Sequence, residues 1–494
     1  MKPDRIVKSA ASFLGAVTFA VSLAVTGTVA AQTPNTAWMA SQPAKPGVPS
    51  VSLAPDGTTF GPFHAYTPAD ICAAYGVDRL HAKGIAGQGQ TIVVVVSYGS
   101  PTALEDLQVF SRAFGLCAPD LTVIYPDAKP TFSPAMQYVQ IGWGAETSID
   151  LQLAHAIAPD AKLVLIAANP AETAGVQGFP SIFKGISYAV ANYPGSVISM
   201  SLCVTEQSFQ SAADQQIAKF DQVFQQAVAA RCTVLAASGD WGTANTDKQG
   251  RVYPFPTAQW PASDPLVTAC GGTWLQWGWR WNPAVSEEDY MTVVAELGGD
   301  WLTAAQVTGF LNYTTGPGRT EAVWNELVDP HLLFGPMASG GGLSALFPTP
   351  DFQSGLPQSL LQGCRGVPDI SWNAAGNGSV QVYVSFAPLV PGWGAGSGTS
   401  GSTPQLAGVI ALANQLRAQK GKQPIGYLNP VLYTLPARDF NDIVPQTFGP
   451  VTLDDNTEFG SGVPGFQTTA GYDLTTGLGS PKAYQFVHDL TDTP

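Results

Sequence analysis

The sequence predicts an α/β protein with a mainly parallel sheet and helices on both faces. Five short runs rich in β-branched residues are separated by stretches with helical periodicity, the pattern that builds parallel sheets. The predicted strands are Thr91–Val96, Lys162–Ala167, Ser196–Leu202, Thr233–Ala237 and Leu266–Ala269. The predicted helices are Ala103–Phe114, Ala145–Ile157, Ile182–Asn192 and Ala212–Ala230. Such sheets place their active sites outside the carboxyl ends of the strands.

The composition narrows the class of protein. The chain has 494 residues, including 52 Gly and 40 Pro, which favours a turn-rich globule over a helical bundle. The formal net charge is -14 at pH 7, and this argues against nucleic acid and against an anionic membrane surface as partners. We also expect a monomer.

The N-terminus has the three parts of a secretory signal. Lys2, Arg5 and Lys8 precede an apolar run, and small residues follow up to Ala30 and Ala31, where we expect cleavage. The alternative is an uncleaved membrane anchor. We predict a signal peptide over residues 1–31, a flexible Pro-, Ser- and Thr-rich lead-in over 32–60, and a secreted protein without stable membrane association after cleavage. The six cysteines fit an oxidising compartment and allow up to three bridges, whose pairing stays open.

The stretch Gly144–Pro159 predicts an amphipathic helix with an anomaly. At about 100° per residue, Glu146 and Asp150 fall on the apolar stripe. The uncharged polar residues Ser148, Gln152 and His155 point to the opposite, solvent-facing side. Burying carboxylates is costly unless they are paired or hydrogen-bonded. Two explanations remain open: acidic residues that stabilise a helix N-terminus, or a buried pair held for general-base work.

Two further stretches place chemistry-bearing residues at strand and helix ends. A loop of small residues delivers Ser400 to the positive end of a buried helix, for which we predict Pro404 in the first turn and Ser402 or Thr403 as the cap. Asp240 follows the predicted strand Thr233–Ala237 at its carboxyl end. Taken singly, Ser400 is either a nucleophile or part of an ordinary turn, and Asp240 either a catalytic acid or a turn cap.

Together these stretches resemble the sedolisin family, the serine-carboxyl peptidases, over about residues 66 to 485. The matching catalytic motifs, in the family's order, are Glu146-x-x-x-Asp150, Ser238-Gly239-Asp240 and Ser397-Gly398-Thr399-Ser400-x-x-x-Pro404. Further matches are Tyr66-Thr67-Pro68, Gly271-Gly272-Thr273, Trp324-Asn325, Ser339-Gly340-Gly341-Gly342 and Gly477-Leu478-Gly479. The resemblance implies a subtilisin-like fold and a peptidase domain over residues 61–490.

The resemblance also implies roles for the four residues. Ser400 would be the nucleophile, Glu146 its base, Asp150 the residue that orients Glu146, and Asp240 the donor to the oxyanion. Glutamate has an ordinary pKa of about 4.3, so a glutamate base moves the activity into acid. Asp240 can donate a hydrogen bond only while it is protonated, which also requires acid or a raised pKa.

A calcium site is implied by the same resemblance. Asp442 and Asp473 would supply carboxylates, and the carbonyl groups of Ile443, Thr469 and Gly471 the remaining ligands, within a region spanning residues 438–482. Hard oxygen ligands of this kind suit Ca²⁺. We expect one structural ion.

Two rival functions, an expected insertion and one departure from the family complete the expectations. The rivals are a Ser-His-Asp hydrolase, which the contexts of the five histidines disfavour, and a non-catalytic secreted protein that binds peptides or a surface. Residues 274–319 form a Trp-rich insertion, expected to be a loop packed onto the domain. Members of the family commonly carry a large pro-domain, whereas about 35 residues separate the predicted cleavage site from Tyr66, too few for an independent domain.

Overall fold

The computed structural model describes residues 65–132, 137–169, 178–209, 213–247, 249–277, 319–326, 337–376, 378–386, 392–448, 451–458 and 460–493. The predicted signal peptide, the lead-in and residues 278–318 of the predicted insertion lie outside this part of the chain. Trp279, Trp281 and Trp301 fall in that last segment.

Helices and strands alternate along the chain, as expected. The helices are α1 (Pro68–Tyr75), α2 (Asp78–His81), α3 (Ala103–Ala113), α4 (Gln137–Ile157), α5 (Phe179–Asn192), α6 (Ala213–Ala229), α7 (Gln358–Leu361), α8 (Gly398–Gln419), α9 (Asn429–Leu432) and α10 (Ala483–Asp492). The first ten strands are β1 (Ala65–Tyr66), β2 (Thr91–Ser97), β3 (Leu121–Ile124), β4 (Lys162–Ala168), β5 (Val197–Met200), β6 (Val204–Thr205), β7 (Thr233–Ala237), β8 (Gln259–Trp260), β9 (Thr268–Trp277) and β10 (Arg319–Val323). The others are β11 (Gly342–Pro348), β12 (Cys364–Val367), β13 (Ile370–Asn373), β14 (Ser379–Val384), β15 (Gly392–Gly396), β16 (Phe440–Asn441), β17 (Gln446–Phe448), β18 (Val451–Leu453) and β19 (Ser480–Pro481).

The central sheet is mainly parallel, which confirms the predicted fold class. Its strand order is β10-β9-β7-β5-β2-β4-β3, and β13 pairs with β9. All of these pairings are parallel except that of β10 with β9. The order places β5 and β7 side by side at the centre of the sheet, so their carboxyl ends open onto one edge.

The helix that carries Ser400 runs through the core. Leu406, Val409 and Leu412 of α8 are almost fully buried, and the helix packs on α4. A side chain at Gly408 would place its Cβ 2.6 Å from the Cβ of Ile157. Because this approach is too close for any side chain, glycine at 408 lets the two helices cross in contact.

Helix α4 is buried on all sides from Gln140 to Ile157. The solvent-facing side that the sequence predicted is therefore wrong. Ser148, Gln152 and His155 are each 0–1% exposed. Gln152 donates to the carbonyl of Tyr383 and accepts from its N–H, both at 2.7 Å. His155 Nε2 lies 3.1 Å from the carbonyl oxygen of Cys117. Partners from distant segments therefore replace water for the longer polar side chains.

Several predicted boundaries were wrong. Helix α8 begins at Gly398, so Pro404 lies inside the helix, not in its first turn, and Ser397 is the N-cap. Strand β9 continues to Trp277 and pairs with β10 from Arg319, so Trp274 and Trp277 belong to the sheet and not to an insertion. In the sheet β9 lies between β7 and β10, and Trp274 is buried there.

Five of the six cysteines are free thiols in the described part of the chain: Cys72, Cys117, Cys232, Cys270 and Cys364. The three bridges that the number allowed are therefore not formed. Among the helices that the structure describes, none combines the length and the apolar character needed to cross a bilayer.

Candidate active site

The predicted acid pair lies in the interior at the middle of α4. Glu146 and Asp150 are both 0% exposed, and a spacing of four residues puts them one helical turn apart on the same face. Burial raises the pKa of Glu146 well above its ordinary value, and the neighbouring Asp150 and Asp240 carboxyl groups raise it further. Burial likewise raises the pKa of Asp150. Two carboxyl groups in such surroundings share protons and titrate as one unit.

Serine hydroxyls surround this pair. Ser201 Oγ donates a hydrogen bond to Asp150 Oδ1 at 2.6 Å. The hydroxyls of Ser400 and Ser201 lie close enough to Glu146 to lower its pKa. Neither carboxylate oxygen of Glu146 has a partner of normal hydrogen-bond geometry among the described residues. Both Glu146 oxygens are therefore available to accept a proton.

Ser400 lies in the first turn of α8, at the positive end of the helix dipole. The small residues of this turn allow close contact with the sheet, and Ser402 Oγ donates to the carbonyl of Gly271 at 2.7 Å. Pro404 has no N–H, so the carbonyl of Ser400, four residues earlier, lacks the usual helical donor. Ser201 Oγ lies 3.4 Å from that carbonyl oxygen. Tertiary contacts thus hold a helix start that local propensity disfavours.

Asp240 approaches the same turn from the other side. It follows β7 and is 2% exposed. Its Oδ1 accepts hydrogen bonds from the N–H of Thr399 at 2.8 Å and from Thr399 Oγ1 at 2.7 Å. Burial raises the pKa of Asp240 to about 6, while the two bonds from Thr399 act in the opposite direction. Since Oδ1 is occupied as an acceptor, a proton on this carboxyl group is carried by Oδ2.

Gly398 makes room for Asp240 Oδ2. A Cβ at position 398 would lie 2.7 Å from Oδ2, and Gly398 has φ +80°. Both the contact and the left-handed backbone require glycine. The glycine two residues before Ser400 is therefore required by the backbone conformation and by the approach of Asp240.

The triple-glycine segment after Ser339 supports the Asp240 turn. The Gly340 N–H donates to the carbonyl of Gly239 at 2.7 Å, and Ser238 Oγ donates to the carbonyl of Gly340 at 2.6 Å. A Cβ at Gly340 would lie 2.2 Å from the Ser238 carbonyl oxygen. The two backbones can therefore touch only if residue 340 has no side chain.

Glu326 is a further buried acid at the site that the sequence reasoning missed. It is 0% exposed, and its Oε1 accepts from Trp324 Nε1 at 2.6 Å and from the Gly376 N–H at 2.7 Å. Burial raises the pKa of Glu326 to about 7, and the Asp240 carboxyl group contributes to the increase. The sequence did contain one indication of this role. Glu326 directly follows Trp324-Asn325, and a buried Trp needs an acceptor for its N–H.

The histidines of the described chain are engaged elsewhere. His81 Nε2 lies 2.8 Å from the carbonyl oxygen of Ile157, His155 contacts Cys117, and His488 packs against the ring of Tyr484. His64 and His331 lie outside the described residues. A Ser-His-Asp arrangement therefore has no support in the described part of the chain.

The residues predicted to bind calcium converge on one turn near the C-terminus. Asp442 is exposed, and its two oxygens lie 3.0 and 3.1 Å from the Gly471 nitrogen. Asp473 is buried, with Oδ2 accepting from the Thr469 N–H at 3.1 Å, and Ile443 is buried beside Asp442. The described residues contain no group of three or more His, Cys, Asp and Glu side chains able to hold a metal. Asp442 reaches the glycine-containing turn from another segment, and carboxylate and carbonyl oxygens are the kind of ligand that a hard cation takes.

The site therefore combines the Ser400 hydroxyl, the buried Glu146–Asp150 pair and the separate Asp240 carboxyl group. A hydroxyl at a helix N-terminus can act as a nucleophile when a base accepts its proton. A protonated carboxyl on the other side can stabilise developing negative charge. A nucleophile, a base and an oxyanion donor are the groups that acyl transfer requires.

The known proteins that this chain resembles are peptidases. A family model described as "Subtilase family" matches residues 140–430, more than half of the chain. Kumamolisin of Bacillus sp. (strain MN-32) is 30% identical over 434 residues, covering 86% of this chain and 64% of kumamolisin. Tripeptidyl-peptidase 1 of Dictyostelium discoideum is 27% identical over 405 residues, covering 81% of this chain and 54% of that protein. The chain thus spans less than two thirds of the length of these relatives.

A solved structure shares the fold. The sedolisin of Pseudomonas, a serine-carboxyl proteinase complexed with two molecules of pseudo-iodotyrostatin, superposes with a TM-score of 0.61 at 23% sequence identity. The superposition covers 86% of this chain and 98% of that one. The chain therefore belongs to the subtilase family, with the subtilisin-like fold that its resemblance to the sedolisins implied.

Proposed function

We propose that this protein is an acid-active serine-carboxyl endopeptidase that hydrolyses polypeptides through an acyl-enzyme on Ser400. The observation that carries the proposal is the convergence of three groups at the carboxyl ends of β5 and β7. These are the Ser400 turn, the buried Glu146–Asp150 pair and Asp240, whose Oδ1 is fixed by Thr399. A protein that only binds peptides would need none of these groups.

The reaction follows from the roles of these side chains. Ser400 Oγ attacks the carbonyl carbon of the scissile bond while Glu146 accepts the hydroxyl proton. Asp240 Oδ2, protonated, donates a hydrogen bond to the oxyanion. Glu146 then gives its proton to the leaving amine as the C–N bond breaks. Water repeats the sequence on the acyl-enzyme, with Glu146 again as base, and releases Ser400.

The raised pKa of Asp240 supports activity in acid, whereas the raised pKa of Glu146 sets the lower limit of the active pH range. Glu146 must be ionised to act as base, whereas Asp240 must be protonated to act as donor. The pKa of Asp240 is raised to about 6, so the donor form predominates below that pH. The upper limit of the active range is therefore set by Asp240.

We also propose that the protein is secreted as a monomer and binds one structural Ca²⁺. Asp442 and Asp473 would hold the ion together with the carbonyl groups of Ile443, Thr469 and Gly471. Burial raises the pKa of Asp473, and the bonds from Thr475 and Thr476 to its Oδ1 act in the opposite direction. A cation beside Asp473 would favour the ionised carboxylate further. The ion would fix the turn and add to stability, with no part in the chemistry.

Proteolysis of a denatured protein substrate from about pH 2 to about pH 8 tests the function. We expect a maximum in acid, and we expect Ser400→Ala to remove at least about 10³-fold of the rate. Ser199→Ala is the matched control, because it removes a buried serine hydroxyl that makes no hydrogen bond in the described part of the chain.

The products decide the finer points. Internal cleavage of a long peptide supports an endopeptidase, and stepwise release of short peptides from one end contradicts it. A folded protein that binds peptides but cleaves none at any pH would support the non-catalytic alternative.

A further inference from the structure

Ser201 joins the acid pair to the helix that carries the nucleophile. It directly follows β5 and is 0% exposed. Its Oγ lies 2.6 Å from Asp150 Oδ1 and 3.4 Å from the carbonyl oxygen of Ser400. One side chain therefore contacts both parts of the candidate catalytic apparatus.

The position of this hydroxyl is explained by Pro404. In a regular helix the N–H of residue 404 would bond the carbonyl of Ser400, but proline has no N–H. The Ser400 carbonyl oxygen therefore lacks its helical donor, and the hydroxyl of Ser201, at the end of β5, lies next to it. At 3.4 Å from that carbonyl oxygen, the Ser201 hydroxyl makes at most a weak bond to it, and its proton remains available to the nearer Asp150.

The single proton of the Ser201 hydroxyl constrains where the acid pair can carry its own proton. The shorter contact is with Asp150, so the hydroxyl proton is donated to Oδ1. A proton bound by Asp150 must then lie on Oδ2. Asp150 Oδ2 and both Glu146 oxygens have no hydrogen-bond partner in the described part of the chain, so these three oxygens remain for the shared proton.

We propose that Ser201 is a positioning residue that keeps Asp150 Oδ1 as an acceptor and confines the proton of the acid pair to Asp150 Oδ2 and Glu146. The inference rests on the proposed peptidase function for its kinetic consequence. Its structural content, the placement of one proton, does not depend on catalysis.

The consequence for pH has a definite sign. The Ser201 hydroxyl lowers the pKa of Asp150 and that of Glu146 by stabilising negative charge. Its removal raises both, so the pair needs a higher pH to lose its first proton. A hydrogen bond to a charged group corresponds to a shift of about one pH unit or slightly more.

The other titratable groups around α4 are the same in wild type and variant. The charged groups that act on Glu146 are Asp150 on its own helix and Asp240 beyond β7. The elements packed against α4 also carry Asp70 and Cys72 on α1, Asp106 on α3, Lys162 on β4, Tyr383 on β14 and Arg417 on α8. A difference between the two profiles is therefore due to position 201.

The kinetic test is the pH profile of kcat/KM for Ser201→Ala. We expect the acid limb to move upward by about one pH unit, with the maximal rate within about tenfold of wild type. Ser201→Thr keeps the hydroxyl and should restore the wild-type limb. Ser199→Ala is the control: it is buried on the same face of β5, and its Oγ has no partner in the described chain.

An acid limb of Ser201→Ala that coincides with those of wild type and Ser199→Ala would overturn the inference. Should the alanine variant not fold, Ser201→Cys keeps the volume with a weaker donor and should shift the limb in the same direction.

Infrared spectroscopy provides a readout that needs no activity. In Ser400→Ala protein, the band of protonated carboxyl groups is followed against pH, and Asp150→Asn identifies the contribution of the pair. Added Ser201→Ala should move that transition to higher pH, and an unmoved transition contradicts the proposal. Wild-type protein without hydrolysis at any pH would refute the peptidase function, and the infrared result would still decide the role of Ser201.

Discussion

Asp240 accepts two hydrogen bonds at a single oxygen from Thr399, the residue immediately before Ser400. The backbone N–H and the hydroxyl of Thr399 both point at Oδ1, at 2.8 and 2.7 Å. This double contact ties the end of β7 to the first turn of α8. It also orients the carboxyl group, since only Oδ2 remains to carry a proton.

The orientation predicts how amide substitution behaves at position 240. In Asp240→Asn the amide oxygen can replace Oδ1 and the NH₂ group Oδ2, so a donor remains that needs no proton. We expect Asp240→Asn to be at least about tenfold more active than Asp240→Ala, because one oxyanion donor is worth about 10²–10³ in turnover. The measurement is kcat/KM against pH for both variants.

The same profiles test the cause of the alkaline limb. Wild-type activity should fall as the pH rises through about 6, since Asp240 then loses its proton. The limb of Asp240→Asn should extend toward neutral pH. Equal inactivity of both variants in folded protein would mean that Asp240 is not the donor.

Gly398→Ala should damage the site through Asp240. The new Cβ would lie 2.7 Å from Asp240 Oδ2, and the backbone has φ +80°. We expect a loss of about 1–2 kcal/mol of unfolding free energy from the left-handed backbone, with a larger relative loss of activity. Both are measured on the same preparation, by denaturant titration and by peptide hydrolysis.

Gly401→Ala is the control for this prediction. The nearest atom to its Cβ would be Leu153 Cδ1 at 3.5 Å, an ordinary contact, so stability should not fall. If the two variants had equal stability and equal activity, the steric argument for Gly398 would be wrong.

Removal of calcium should lower the melting temperature. Free ligand at about 100 times its dissociation constant stabilises a folded protein by about 2.7 kcal/mol. The comparison is thermal unfolding with excess Ca²⁺ and with excess chelator. Asp442→Asn should unfold at the chelator temperature in both conditions, because the exposed position tolerates the change while the ion loses a carboxylate. A transition that ignores chelator, in protein without bound calcium by elemental analysis, would refute the site.

Asp264 should make the folded protein more stable in acid than at neutral pH. Burial raises the pKa of Asp264 to about 7, well above that of an unfolded chain. A group with a raised pKa favours the folded state below the unfolded value, and that contribution is lost as the pH rises through the folded value. The loss therefore falls between about pH 4 and about pH 7.

Asp264→Asn tests this stability effect. The variant should flatten the decline of unfolding free energy by up to about 1.4 kcal/mol per pH unit within that window. Asp127 should change the pH dependence of stability in the opposite direction, because Lys184 and Ser181 lower its pKa. Asp127→Asn should cost stability at neutral pH and little at the lowest pH. An unchanged slope in Asp264→Asn would contradict the assignment.

The parts of the fold that were predictable are those governed by local pattern. Strand β7 has the predicted bounds Thr233–Ala237, because an apolar run of that length between turns has few other solutions. The start of α8 was not predictable, because Pro404 is a common first-turn residue and Gly398 a poor helix former. What holds that start is tertiary: the Ser402 bond to Gly271 and the contact of Ser201 with Ser400.

Long-range partners explain the remaining misses. Gln152 looked solvent-facing because its partner, Tyr383, lies 231 residues further along the chain. Glu326 gave no periodic pattern, since it lies in a short segment that depends on Trp324 and Gly376. The acid pair, by contrast, was visible in the sequence as charge on an apolar stripe, a pattern that few structural explanations accommodate.

The β14–β15 hairpin links the two helices of the candidate active site. Gln152, half a turn beyond Asp150, is bonded to both backbone groups of Tyr383 in β14. The partner strand β15 runs directly into Ser397 and α8. One hairpin is therefore connected to both α4 and α8, the two helices that carry Glu146 and Ser400. A substitution in this hairpin can alter the spacing between Glu146 and Ser400 without contacting either residue.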